Sequence, residues 1–268
     1  MVDVTISGLR VYPIKSFGGV ELSESQVEKR GLRHDRRWML VDAEGIFLTQ
    51  RSDTRLALFR TGIGEAGLQL STPDGRILLV PYEPVGSIKT VQVWKNVCEA
   101  VQVCPSVDEW FSDYLGMQCS LVYMPDSSER ATHPDFTRQG DIVGFADAFP
   151  ILVIGEHSLE DLNDRLVVPV PMNRFRPNVI VKGTRPYAED VWRFFSVGNL
   201  SLRFAKSCGR CSVTATDQDT GEVGVEPLRT LATYRLKDQT VLFGAYFVPE
   251  SEGEVHVGEA LRVESCEN

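Results

Sequence analysis

Three times between residues 37 and 103, one strand-like segment runs into a turn and a second returns from it. Arg37–Val41 and Ile46–Gln50 flank Asp42-Ala43-Glu44-Gly45, with the glycine late in the loop. Leu68–Leu70 and Arg76–Val80 flank Thr72-Pro73-Asp74-Gly75, where proline presets one turn dihedral and glycine accepts a positive one. Ser87–Trp94 and Val97–Val103 close around Lys95-Asn96. Hairpins at this spacing indicate antiparallel sheet or barrel rather than strand–helix–strand units. The opening stretch from Val2 to Tyr12 also alternates, and Pro13 ends or bends it. The expected fold class is mainly β, of the α+β kind, with few short helices.

Those helices are legible from their ends. Ser106-Val107-Asp108-Glu109 reads as a capping box, Trp110, Phe111, Tyr114 and Leu115 give an apolar face, and Gly116 stops the helix. Ser158-Leu159-Glu160-Asp161 is expected to cap a second helix through Leu166, and Glu226–Tyr234 a third, with Pro227 near its first position. At 268 residues the chain exceeds the usual single-domain size. The polar, turn-rich stretch Met124–Glu129 places a boundary between domains 1–123 and 124–268.

Chemistry gathers at a few points. The alternating run Leu200–Phe204 leads into Ser207-Cys208-Gly209-Arg210-Cys211, which sets two thiols beside a guanidinium. Thiols suit a thiophilic metal and a guanidinium fork suits an anion, although half-buried cysteines at a turn would read the same way. A four-cysteine zinc site would need a second such pair, which the chain lacks, as it lacks a nearby histidine pair. The loop Lys15-Ser16-Phe17-Gly18-Gly19 offers an ammonium, a hydroxyl and free N–H groups to a phosphate, without the full P-loop pattern. Arg174 and Arg176, on a segment that its prolines should hold extended, would point to one side as an anion clamp. These cations stand out because the net charge is −9, a balance that argues against general nucleic-acid or anionic-membrane binding. Cys98, Cys104, Cys119 and Cys266 are scattered and read as structural or incidental. With no signal peptide and no apolar run of membrane-spanning length, the expected compartment is the reducing cytoplasm.

Several motifs occur in one order: Tyr-Pro-Ile-Lys-Ser at 12–16, His-Asp-Arg-Arg-Trp at 34–38, Arg-Phe-Arg-Pro-Asn at 174–178, Cys-Gly-Arg-Cys at 208–211, Asp-Thr-Gly at 219–221 and Phe-Gly-Ala-Tyr-Phe at 243–247. In that order they resemble MOSC-domain proteins, in particular the branch of the mitochondrial amidoxime-reducing component and its bacterial relatives. The resemblance implies an N-terminal β-barrel-like domain followed by an antiparallel β-barrel MOSC domain. It also implies a molybdenum cofactor, a molybdenum ion held by the dithiolene of a phosphate-bearing pterin. Cys211 would supply the protein thiolate to the metal, while Cys208 matches a cysteine that is not a ligand. Lys15, Ser16 and Arg36 would hold the pterin and its phosphate, Arg176 and Arg210 would add charge, Asn178 would lie near the metal, and Tyr246 would touch the cofactor. Asp147 matches an acidic position beside the substrate pocket, where it could relay protons or cap a turn.

The sequence departs from the animal members of that branch in three ways. It shows no N-terminal membrane anchor. Gly209 stands where they have a serine, and Ala148 and Phe149 replace small hydroxylated residues. Some bacterial relatives carry a C-terminal iron–sulfur domain, which is missing here, so an external donor of flavin, haem or iron–sulfur type is expected. The activity implied is two-electron reduction of small N-hydroxylated substrates (amidoximes, hydroxylamines or N-hydroxylated bases), with two protons taken up and water released. Cys211, Asn178 and Asp147 would be its catalytic residues. The other reading is a molybdenum-cofactor carrier or sulfur-delivery module. With no heptad or interface stripe visible, a monomer is the default.

Overall fold

The computed structural model describes residues 3–266; Met1 and Val2, included in the expected first strand, lie outside the described residues, as do Glu267 and Asn268. The fold is mainly β, with short helices at Pro105–Leu115, Glu156–Asn163 and Leu228–Ala232. Its largest sheet has nine strands. Eight follow one another in the order Leu261–Cys266, Trp192–Val197, Leu200–Gly209, Thr240–Pro249, Ile151–Gly155, Val179–Lys182, Thr5–Val11 and Val20–Leu22. Leu236–Lys237 adds to Thr240–Pro249 as the ninth. The pairing order is linear, and all but one of these pairs are antiparallel.

The exception is Ile151–Gly155 beside Val179–Lys182, which run parallel, with the helix Glu156–Asn163 in the connection between them. Every residue of Ile151–Gly155 is buried, as expected of an uninterrupted apolar strand covered on both faces. Thr5–Val11 completes the layer by pairing with Val179–Lys182, so the start of the chain belongs to the sheet of its second half. Ile6, Leu9 and Val11 pack there with Val153, Val181, Phe195 and Phe247.

The first half builds smaller sheets. Gly67–Ser71 and Ile77–Pro81 form the hairpin expected around Thr72–Gly75; Ile88–Val93 and Asn96–Gln102 also pair, but Asn96 stands opposite Val93, so the turn is Trp94-Lys95 rather than Lys95-Asn96. The hairpin expected around Asp42–Gly45 is incomplete. Trp38–Asp42 is a strand, but its return is reduced to a single bridge from Phe47 to Val41, while Ile46 bridges instead to Gln92. Phe17, Phe59, Phe111 and Trp38 form the core beneath them.

All three helix starts differ from expectation; the third begins at Leu228, with Pro227 as its cap rather than inside it. The first helix is capped by Cys104 and begins at Pro105, without a side-chain cap, so Ser106 lies inside it and no capping box forms. Proline at the first helical position loses no hydrogen bond and presets φ, which favours this earlier start. Asp108 accepts instead from Leu121 N at 2.8 Å and ties the helix to its neighbouring strand. The second helix starts at Glu156, two residues before Ser158. Ser158 is fully buried and donates to the Glu189 carboxyl at 2.9 Å, while Gly155 N donates to it at 3.2 Å.

Burial pushes the Glu189 carboxyl up from 4.5 to about 7. A raised folded value means that its contribution to stability is full below pH 4.5 and is lost as pH rises through about 7. Glu189→Gln removes that term. Urea unfolding at pH 5 and pH 8 should show wild type losing on the order of 3 kcal/mol more than the variant across this interval. Parallel losses in the two proteins would contradict the assignment.

Candidate functional site

A cleft of about 1180 Å³ opens between the two halves, and all nine residues singled out in the sequence line it: Lys15, Ser16, Arg36, Asp147, Arg176, Asn178, Arg210, Cys211 and Tyr246. Local backbone geometry sets several of them. Ser16, Arg36 and Arg176 have φ of 72°, 46° and 55°, a region that non-glycine residues enter only when their surroundings hold them there.

Those surroundings are identifiable around Arg36 and Arg176. The Arg36 and Arg176 guanidiniums each lie 4.2 Å from the ring centroid of Tyr12. Buried Asp35 accepts from Arg36 Nη1 at 2.6 Å and from Tyr12 N at 2.8 Å. Arg176 Nη1 donates to Phe17 O at 2.7 Å. Burial, and then the neighbouring Arg36 charge, lower Arg176 to about 10. Half-buried cations gathered in this way carry a cost that Asp35 offsets only in part, and a further anion in the cleft relieves it.

Asn178 is buried, and its amide is committed to the scaffold. Nδ2 donates to Arg10 O at 3.2 Å, while Oδ1 accepts from Leu152 N at 3.1 Å and from Arg36 Nη1 at 3.2 Å. The residue thereby links two strands of the large sheet to Arg36. Arg174 and Arg176 both reach the cleft, but not as an extended pair. Met172–Arg174 winds into a 3-10 turn, and Arg174 faces Thr214 O and Asp217 at 3.5 Å.

The cysteine stretch leaves the sheet through a bulge. Leu200–Gly209 pairs with Thr240–Pro249, and the register shifts between Ser207 and Gly209, a device that re-aims side chains beside functional sites. Cys208 turns inward and accepts from Arg210 Nη1 at 2.8 Å, while Arg210 Nη2 donates to Phe175 O. Tyr246 stands beside this pair, its hydroxyl pushed well above the usual value by burial and by Cys208. Cys211 caps the next 3-10 turn and stays half-buried on the cleft wall. Arg51 Nη2 donates to its sulfur at 2.9 Å.

On the opposite wall, buried Lys15 donates to Phe145 O at 2.8 Å and pairs with Asp147. Burial pushes the Asp147 carboxyl up, but Lys15, Arg51 and Trp94 outweigh it and hold the group well below the usual carboxylate range. Asp147 is therefore an anion here, a weak base with no proton to donate near neutral pH. Trp94 Nε1 donates to it at 3.3 Å, and the Arg51 guanidinium stacks 4.6 Å from the Trp94 ring centroid.

Arg51, Trp94 and buried Arg130, which fixes the loop carrying Asp147, were not among the expected site residues. No local motif marks them. Arg51 stands 160 residues from the cysteine it touches, and only its place after the buried Gln50 hints at a fixed position.

The first half of the chain, residues 3–118, matches the MOSC N-terminal beta barrel domain, and residues 140–262 match the MOSC domain. Mitochondrial amidoxime-reducing component 1 of Mus musculus is 36% identical over 96% of this chain and 81% of that protein. Its Homo sapiens counterpart is 34% identical, over 96% and 82%. The molybdenum cofactor sulfurase of Oryza sativa subsp. japonica is 31% identical over 97% of this chain but only 35% of its own length. Among the described residues no helix is long and apolar enough to cross a membrane. With both domains matched and these identities extending over nearly its whole length, this chain belongs to the MOSC-domain family, in its two-domain form.

Proposed function

We propose that this protein is a molybdenum-cofactor-dependent reductase of small N-hydroxylated compounds that draws electrons from a separate donor protein. The observation that carries the reading is the cleft itself: Arg36, Arg176 and Arg210 line it together, facing a wall that presents the half-buried sulfur of Cys211. The donor set suits a phosphate-bearing pterin with a thiophilic metal. Arg210 Nε and the Tyr12 hydroxyl are buried without a protein partner, and guanidinium forks match phosphate oxygens.

When bound, the cofactor would supply two-electron chemistry at an N–O bond. The remaining roles belong to the chain. Cys211 would hold the metal, and Lys15, Ser16, Arg36 and Arg176 the phosphate end, with Arg210 adding charge. Asn178 fixes Arg36 in place. Asp147, held as an anion, keeps Lys15 and Arg51 aimed into the cleft. Tyr246, half-buried on the cleft wall and backed by the buried Phe149 ring 5.2 Å away, would offer an aromatic surface to a flat substrate. Identity to two amidoxime-reducing components supports the substrate class.

The rice relative supports a second reading, a cofactor carrier or sulfur-delivery module. One experiment separates the two. Protein expressed in a host that loads other molybdoenzymes is analysed for molybdenum per chain and assayed for benzamidoxime reduction with an artificial electron donor. Near-stoichiometric metal with turnover is the expected result. Metal that passes to an apo molybdoenzyme without turnover would favour the carrier, and absence of metal would overturn both.

A further inference from the structure

The geometry points to Arg51 as a positioning residue for the metal-binding sulfur, an inference that rests on the proposed cofactor site. Arg51 Nη2 donates to Cys211 Sγ at 2.9 Å, across the cleft that separates the two halves of the chain. Three further contacts hold the guanidinium in that direction. It stacks on Trp94 with 4.6 Å to the ring centroid, and lies 3.6 Å from Asp147 Oδ2. Its own backbone N donates to Thr49 Oγ1 at 2.8 Å.

The backbone beneath it is fastened to the segment that follows the cysteine. Gln50 and Gln218 exchange two amide hydrogen bonds of 3.0 Å each, and Gln50 Nε2 also donates to Ser16 O at 2.6 Å. Gln50 and Gln218 are both buried, so this link is not a surface accident. It joins the phosphate loop, the base of Arg51 and the residues after Cys211 into one unit.

A sulfur that accepts an N–H bond has one lone-pair direction fixed and donates less electron density to a metal. Groups that touch a ligand commonly govern metal affinity and electronic character as strongly as this. Lysine is a poor replacement, since an ammonium cannot stack on Trp94 while keeping a planar fork on both Asp147 and the sulfur.

The test compares wild type, Arg51→Lys and Arg51→Met, loaded in the same host. In Arg51→Met, molybdenum is lost on dialysis against a chelator about 10-fold faster than in wild type. The g values of its Mo(V) electron paramagnetic resonance signal also move, a change that a purely structural role would not produce. Arg51→Lys retains metal better than Arg51→Met but shows a similarly moved signal. Equal loss rates and superimposable signals in wild type and Arg51→Met would overturn the inference.

Cofactor-free protein gives a separate reading of the same contact. Iodoacetamide labelling of Cys211, followed by peptide mass spectrometry, changes several-fold in Arg51→Met, because the guanidinium that contacts the sulfur and covers one side of it is gone. An unchanged labelling rate counts against Arg51 whether or not molybdenum is bound. A wild type that binds no molybdenum while its labelling responds to Arg51 would overturn the cofactor site and leave the Arg51–Cys211 contact standing.

Discussion

Cys211→Ala is expected to give a folded protein that carries almost no molybdenum and no measurable benzamidoxime reductase activity. The side chain is half-buried and its sulfur meets the Arg51 guanidinium, so its loss opens no core cavity. Stability should stay within about 1 kcal/mol of wild type. Metal retention is another matter, because it loses the one protein sulfur assigned to the ion. Residues that merely touch a ligand cost roughly 10- to 100-fold in affinity, and loss of the ligand itself should exceed that range.

Cys208→Ala is the informative contrast. Cys208 is 1% exposed and packs with Phe175, Phe243 and Leu231, so this change should cost stability while leaving metal binding largely intact. Molybdenum analysis and urea unfolding on both variants give the pattern. Full metal content in Cys211→Ala, or its loss only in Cys208→Ala, would reverse the assignment of the two sulfurs.

Arg130→Met should be the most destabilising of the substitutions considered, by on the order of 3 kcal/mol. Arg130 is 5% exposed, and its guanidinium is spent on backbone carbonyls. Nη1 donates to Gly144 O, and to Ala146 O at 2.8 Å, and Nη2 reaches Asp147 O at 3.5 Å. Methionine matches much of the bulk but leaves those oxygens without a donor. In the same loop Phe145 N donates to Arg36 O at 2.7 Å and Phe145 O accepts from Lys15, so its displacement should also weaken cofactor retention. Arg130→Lys, which can reach only part of this set, should recover less than half of the loss. Urea midpoints measure the effect, and a midpoint for Arg130→Met close to wild type would show that the loop does not depend on this clamp.

Much of the architecture could be read from short stretches because the physics there is local. Thr72-Pro73-Asp74-Gly75 forms its hairpin as expected, whereas the hairpin near Lys95, without proline or glycine in its turn, closes one residue earlier at Trp94-Lys95. Cys104 and Pro105 show the limit of that reasoning, since a serine with an acidic residue nearby suggested a cap that proline pre-empted. Ser158 shows another, because burial beside Glu189 decides what its hydroxyl does. Pairing of Thr5–Val11 with Val179–Lys182 had no local trace; that register is set by packing on both faces of a distant strand.

The site divides in the same way. From residue chemistry alone, the cysteine pair, the loop at Lys15 and the arginines at 174 and 176 could be marked. Arg36, Asn178, Asp147 and Tyr246 entered only through resemblance to a family. Arg51, Trp94 and Arg130 act through contacts between segments far apart in the chain, so neither route exposed them.

Because Thr5–Val11 lies inside the large sheet, the two halves are interlocked rather than placed end to end. A protease cut in the mostly exposed stretch 125–129 would sever the covalent chain without freeing either piece. The N-terminal piece would still own a strand between Val179–Lys182 and Val20–Leu22, and the C-terminal piece would still need it to cover Val181 and Val153. Expressed alone, the second half would expose the edge of Val179–Lys182 and much of its apolar face, an invitation to aggregation. Co-expressed, the two pieces form a natural split protein. Reassembly could then be followed directly, because neither piece holds both Arg51 and Cys211.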